Sequence, residues 1–450
     1  MSDLQEQLAE LRQRIARVSV DCDRKFSART PGVSERFANA VDFAETLETL
    51  DGIGHAIPPD SIGSDAIAHR LRIEDGHEHA QAWLSGGEVE TEFGRHFETE
   101  KLYEHHRRHG SADIGSLADL PHDLLESVSS DPMPHAPPSE WAFLDTETTG
   151  LSGGTGTCAF LIGVGRITPQ GFRVRQFFMR DYGEEASALH AVAAHLAEFR
   201  VMITYNGRTF DQPLLETRYR LNRAKSPFTK LDHLDLLHGA RRLWKLRFES
   251  CRLVDLENQV LGVERQGDLP GALIPYVYFD YLRTRDAARM LSIFHHNATD
   301  ILTLACLTGI VPYAFRDPGE STLKNGAELA GIARWLRAAG ELDQARKLFR
   351  RAIDAGLGDE LLFQTLWDIG NIGRKLGEVE EALAVWKDLA ESRNAFRVRA
   401  MEELAKHYEH REKDYARALE MTRGALKYEE SAGLRRREER LNARLKRSRT

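Results

Sequence analysis

The run Trp141-Ala142-Phe143-Leu144-Asp145-Thr146-Glu147-Thr148-Thr149-Gly150 decides the reading of this chain. Apolar residues lead into two carboxylates, Asp145 and Glu147, and a glycine-bearing turn follows at once. In a β-strand, residues i and i+2 point to the same face, so these two acids are expected side by side at the end of a buried strand. Like charges held that close are costly unless a cation neutralises them. The pattern points to a metal site and to chemistry on a phosphate.

Around this run the chain extends to 450 residues, long enough for two or three domains. Its composition, 42% hydrophobic and 29% charged, is that of a globular protein able to bury cores. The formal net charge of −8 supplies no global attraction to nucleic acid, so such binding has to come from local patches. No continuous apolar run of about 18 residues is present, so no membrane span is expected. The start, Met1-Ser2-Asp3-Leu4-Gln5-Glu6, does not resemble a secretory signal. Cys22, Cys158, Cys251 and Cys306 lie far apart, which argues for reduced thiols, a cytoplasmic location and no zinc knuckle.

The chain divides by pattern. Residues 1–20 contain an amphipathic helix with Leu4, Leu8, Leu11 and Ile15 on one stripe, packed on its own domain or self-associating. Residues 21–139 look irregular, with a β-hairpin over Glu88–Thr99 turning at Gly94-Arg95 and a stiff Pro-rich linker from Asp131 to Pro138. The histidines of this region (77, 79, 96, 105, 106 and 109) read better as exposed loop residues than as a second metal site. Residues 140–315 open with three strands, Trp141–Glu147, Thr157–Ile167 and Phe172–Arg180. A helix carrying Leu189, Val192 and Leu196 follows, then a strand Val201–Tyr205 and a helix from Asp211, which together suggest a mixed α/β sheet covered by helices. Over 320–430 a motif recurs: Gly340-Glu341-Leu342-Asp343-Gln344-Ala345, Gly377-Glu378-Val379-Glu380-Glu381-Ala382 and, more loosely, Lys413-Asp414-Tyr415-Ala416-Arg417-Ala418. Small residues at a period in the mid-thirties resemble tetratricopeptide-like helical hairpins, with a generic helical bundle as the alternative. Residues 431–450 form a basic tail, a solvated helix end or a nucleic-acid arm.

Two further carboxylates suit a metal centre. Asp211 follows the strand-and-turn segment Val201-Met202-Ile203-Thr204-Tyr205-Asn206-Gly207; alone it reads as an N-cap. Asp300 sits beside the apolar face Ile301, Leu304 and Ala305 of a helix, shortly after His295 and His296; alone it reads as a surface acid. Two other stretches are ambiguous. Gly153, Gly154 and Gly156 make either a plain hairpin turn or a backbone approach to phosphate. Arg241-Arg242-Leu243-Trp244-Lys245-Leu246-Arg247-Phe248 suits single-strand stacking or a helix with its aromatics in the core.

Taken in order, a strand Asp-x-Glu, a strand-to-helix Asp and a late helical Asp preceded by histidine resemble the DEDD superfamily of 3′–5′ exonucleases. The match extends to Leu144–Thr157, Leu234-Asp235-Leu236-Leu237, Asp268-Leu269-Pro270-Gly271 and His296-Asn297. In this combination the chain is similar to bacterial YprB-like ribonuclease H-like proteins over roughly 140–315. The resemblance implies a ribonuclease H-like mixed sheet flanked by helices, followed by an all-α repeat domain. It also implies that Asp145, Glu147, Asp211 and Asp300 hold two Mg²⁺ or Mn²⁺ ions, which suit hard oxygen ligands. Thr146, Tyr205 and Asn206 would contact the terminal nucleotide of a DNA or RNA strand. A histidine would handle the attacking water. His295 fits the spacing H-x4-D; His296 stands where tyrosine-type enzymes carry tyrosine, and two helical residues four apart share a face, which favours His296. The expected activity is a metal-dependent 3′–5′ exonuclease whose repeats could dock a protein. The alternative is a scaffold that holds nucleic acid without cutting it.

Overall fold

A computed structural model describes residues 86–150, 156–319 and 323–447. The expected N-terminal helix, Cys22, His77, His79, Gly153 and Gly154 lie outside these residues. The chain forms two compact units that divide between Leu323 and Lys324.

The first unit is built on a seven-stranded sheet. Its strands are β1 (Gly87–Thr91), β2 (Gly94–Glu104), β5 (Trp141–Thr148), β6 (Ala159–Thr168), β7 (Gly171–Phe178), β8 (Val201–Thr204) and β9 (Asp232–Asp235), ordered β1-β2-β7-β6-β5-β8-β9. A two-residue pair, β3 (Arg108–His109) with β4 (Ala112–Asp113), stands apart. Pairing is antiparallel from β1 to β5 and parallel from β5 through β8 to β9. The expected strands β5 to β8 appear within a few residues of their predicted ends, because alternation and continuous apolar runs mark strands strongly.

The N-terminal boundary at 139 needs correction. The hairpin belongs to the sheet, with β2 paired along its length to β7, for instance Lys101 opposite Val174. It turns at Glu92-Phe93 rather than at Gly94-Arg95, and Gly94 carries the positive φ of 114°. The Pro-rich stretch is no free linker: Met133, Ala136 and Pro138 are buried, and Trp141 Nε1 donates to the Ala136 carbonyl. Nor are all the histidines exposed. His96 is fully buried between Ser187 and Glu98, and His109 binds Glu257 and Thr303. Polar side chains buried with partners leave no trace in hydropathy, which is why this region looked irregular.

Helices cover both faces of the sheet. On one side α1 (Glu185–Leu196) and α2 (Asp211–Leu221) bury Leu189, Val192, Leu215 and Tyr219 against Leu144, Ile162, Val164 and Met202. After β9 come α3 (Leu236–Trp244) and the short α4 (Leu253–Leu256). On the other side α5 (Ile274–Thr284) and α6 (Leu291–Thr308) bury Tyr278 and Phe294 against Phe160 and Phe178. A last short helix, α7 (Val311–Arg316), closes the unit. Trp244 is buried at the end of α3, so it serves the core and not base stacking. The helical stretch Ala287–Arg316 is long and apolar enough to cross a membrane, but 78% of its most apolar window is buried inside the molecule. Burying side chains such as Ile301 and Leu304 there contributes about 1.5–3 kcal/mol each.

Among its described residues the second unit is helical: α8 (Gly326–Ala339), α9 (Leu342–Ala355), α10 (Asp359–Leu376), α11 (Val379–Glu391), α12 (Arg397–His407), α13 (Tyr415–Leu426) and α14 (Ala432–Arg447). They pack as consecutive hairpins, and the recurring alanines 345, 382 and 418 are all buried. Gly340 and Gly377 end the first helix of their hairpins at φ 91° and 82°, and Lys413 takes the same place at φ 60°. The expected basic tail is, as far as Arg447, a packed helix: Leu434 and Leu441 are buried, and Arg440 pairs with the buried Glu409. Arg437, Arg440 and Arg444 all gather around that one carboxylate.

Candidate active site

Strand β5 ends where its sequence turns acidic. Asp145 lies opposite Gly163, Glu147 opposite Leu161, and a register shift between Glu147 and Thr148 breaks the ladder there. Such bulges re-aim side chains at strand ends. Leu144 points into the core beneath α1, so Asp145 and Glu147 face the α6 side.

Helix α6 comes close because the sheet beneath it carries glycine. A Cβ added to Gly163 would stand 2.2 Å from Asn297 Oδ1, and one on Gly165 would stand 2.5 Å from Ile301 Cγ2. The approach brings Asn297 Nδ2 within 2.8 Å of Asp145 Oδ2. Gln176 Nε2 donates to Asn297 Oδ1 at 2.9 Å, and Thr99 donates to Gln176. This buried relay fixes the Asp145 carboxylate.

Asp211 is the first residue of α2, not its N-cap; its Oδ1 accepts from the Thr146 hydroxyl at 2.5 Å. Thr146 therefore ties β5 to α2. The turn before it is organised by Asp235, whose carboxylate accepts from the backbone N–H groups of Asn206 and Arg208. Asn206 sits there at φ 67°. The Tyr205 hydroxyl donates to the Cys251 carbonyl, so it is directed away from the acids.

Within α6, His296 and Asp300 share a face, with His296 Nε2 3.6 Å from Asp300 Oδ2. His296 Nδ1 donates to Asp268 at 2.9 Å. His295 is exposed, so of the two histidines it is His296 that stands with the acids. Arg265, which no sequence pattern singled out, donates to Asp300 Oδ1 at 2.5 Å, to Asp268 Oδ2 at 3.2 Å and to Glu257.

The electrostatics bind these groups together. Burial first, then repulsion from Asp300 and Asp211, pushes the Asp145 carboxyl well above the usual range. Glu147 is raised likewise, by burial and by Asp145, Asp300, Asp211 and Asp268. Burial lifts Asp211 to about 6 despite the Thr146 hydrogen bond. Burial also raises Asp300, although His296 and Arg265 pull it back. For His296, burial opposes the charge, but the Asp268 hydrogen bond and the Asp300 and Asp268 charges outweigh it and raise its pKa.

Glu147 is buried and Asp145, Asp211 and Asp300 are half-buried, and carboxylates crowded so that they resist ionisation are the donor set a hard divalent cation satisfies. Among the described residues, no group of three or more His, Cys, Asp or Glu side chains already stands arranged to hold an ion. At Asp300 the guanidinium of Arg265 takes one carboxylate oxygen instead. The chemistry of the donors fits Mg²⁺ or Mn²⁺, with Asp300 partly engaged.

A mixed sheet with antiparallel β5–β7, parallel β8–β9, helices on both faces and acids at the end of β5 defines a ribonuclease H-like domain. The RNase H superfamily profile matches residues 142–311. The chain is also 34% identical over 287 residues to the protein designated uncharacterized protein YprB of Bacillus subtilis (strain 168), covering 63% of this chain and 68% of that one. The chain belongs to this YprB family within the RNase H superfamily, a class of nuclease-type hydrolases that act on nucleic acid.

Proposed function

We propose that this chain is a divalent-metal-dependent 3′–5′ exonuclease acting on DNA or RNA. The observation that carries the reading is the convergence of Asp145, Glu147, Asp211 and Asp300 with His296 from one strand end and two helices. The order of these residues along the chain, similar to that of the DEDD enzymes, supports the 3′–5′ polarity.

The four carboxylates would hold the ions, Mg²⁺ or Mn²⁺. When bound, these offset the charge developing on a phosphodiester and make water a stronger nucleophile. The remaining work falls to the chain. Asn297 and Thr146 hold Asp145 and Asp211 in fixed rotamers, which reduces reorganisation during the reaction. Asp268 accepts the Nδ1 proton of His296 and leaves Nε2 on the side of Asp300, where it takes a proton from the attacking water. The helical hairpins of the second unit, similar in period to tetratricopeptide repeats, offer a surface for a protein partner.

Digestion of end-labelled single-stranded DNA and RNA with Mn²⁺ tests this. Wild type should give a ladder shortening from the 3′ end. Asp145→Ala should abolish it, and His296→Ala should lower the rate by about 10²–10⁴-fold, the usual worth of a general base. Nucleic acid bound but left intact by wild type, with metal present, would favour the scaffold instead.

A further inference from the structure

Arg265 is a buried cation, its side chain only 8% exposed, set among acids that the proposed chemistry needs. Each end of its fork is engaged: Nε with Glu257, one terminal nitrogen with Asp268 and the other with Asp300. Glu257 is itself held by His109 and Thr303, and Asp268 by His296. The two anchors that lie outside the carboxylate quartet are thus fixed. The third bond alone reaches into the quartet.

Arg265 belongs to neither helix nor strand. It lies between Gly262 and Gly267, both at positive φ (71° and 70°), a conformation that glycine adopts without steric cost. Moving the guanidinium off Asp300 while Glu257 retains it would break no ladder or helix hydrogen bond. Without an ion, its charge offsets part of the repulsion among the clustered acids. With an ion, two cations draw on the one carboxylate of Asp300 and repel each other across it.

We propose that Arg265 is a built-in competitor for the metal: a divalent cation that uses Asp300 draws on a carboxylate the guanidinium already holds, and binds more weakly for it. The proposal rests on the nuclease reading and deepens it. It makes the site load unevenly, since an ion that does not need Asp300 meets no such competitor.

The test is Mn²⁺ binding to the full chain, with free ion counted by electron paramagnetic resonance, for wild type, Arg265→Gln, Asp300→Asn and the double variant. The relevant event is the one that Asp300→Asn abolishes. Arg265→Gln should tighten it by about tenfold or more, the factor that ~1.4 kcal/mol represents, and the gain should vanish in the double variant. Unchanged or weaker binding in Arg265→Gln overturns the proposal while leaving the nuclease reading standing; no event abolished by Asp300→Asn overturns the proposal and also removes Asp300 from the ligand set of that reading. No ion bound by any form overturns both. Should Arg265→Gln fail to fold, the ¹⁵Nε resonance of Arg265 in wild type gives a second readout. It should shift as Mg²⁺ fills the site, and a resonance unmoved through saturation refutes the competition.

Discussion

At the scale of single residues, the site is held by partners rather than by its acids. Asp145 is aimed by Asn297, which is aimed by Gln176, which is bonded to Thr99. Every polar atom in that relay that loses water gains a partner, which is what makes a buried polar network tolerable. The acids themselves are strained by burial. Asp211 moves from an ordinary 3.8 to about 6, so the folded chain keeps a proton that the unfolded chain has released. Its contribution to stability therefore falls as pH rises between about 4 and about 6, and the cost persists above that window. Asp211→Asn should stabilise the ion-free protein by about 1–2 kcal/mol near neutral pH and lose that advantage below about pH 4. Urea unfolding at the two pH values measures this; an equal difference at both would show that the Asp211 charge carries no such cost. Asp145 and Glu147 were legible because two charges ending an apolar run stand out; Asp211, Asp300 and His296 were drawn in by the resemblance to the DEDD enzymes. Arg265 and Gln176 were not legible, since nothing in their neighbourhood marks which distant group they will meet.

At the scale of elements, the site depends on how closely α6 approaches the sheet. Gly163 and Gly165 alternate along β6, and their missing side chains make the groove in which Asn297 and Ile301 lie. Gly163→Ala places a methyl group on Asn297 Oδ1 and Ile301, so α6 has to shift. The expected cost is about 1–3 kcal/mol, with a matching loss of nuclease activity; a stability within ~0.3 kcal/mol of wild type would sink the argument. In the second unit, the residue that ends the first helix of each hairpin must take a left-handed backbone. Gly340 and Gly377 do so without penalty, whereas Lys413 carries a Cβ into the same conformation. Lys413→Gly should stabilise the unit by about 1 kcal/mol, read from the midpoint of its thermal unfolding; a lower midpoint contradicts this. These hairpins were readable in advance because the alanine at each crossing recurs. The β1–β2 hairpin was readable only as a hairpin: its place at the sheet edge depends on pairing with β7, which lies some seventy residues further along the chain.

At the scale of the whole molecule, two compact units share one chain, and the acids all lie in the first. Ligands stabilise only the structure that binds them. Calorimetry with and without Mn²⁺ should raise the unfolding transition of the unit that ends at Leu323 and leave that of the helical unit in place; an equal shift in both would contradict an ion site confined to the first. What the sequence determined by itself was the kind of element at each strongly patterned segment, the strand-end acids and the helical repeat, because periodicity and isolated charges are local properties. Only the tertiary structure decided that β1 and β2 extend the sheet, that Tyr205 bonds to Cys251, and that Arg265 reaches the acids. Each of these depends on distances between segments remote in sequence, which close packing sets and no local pattern records.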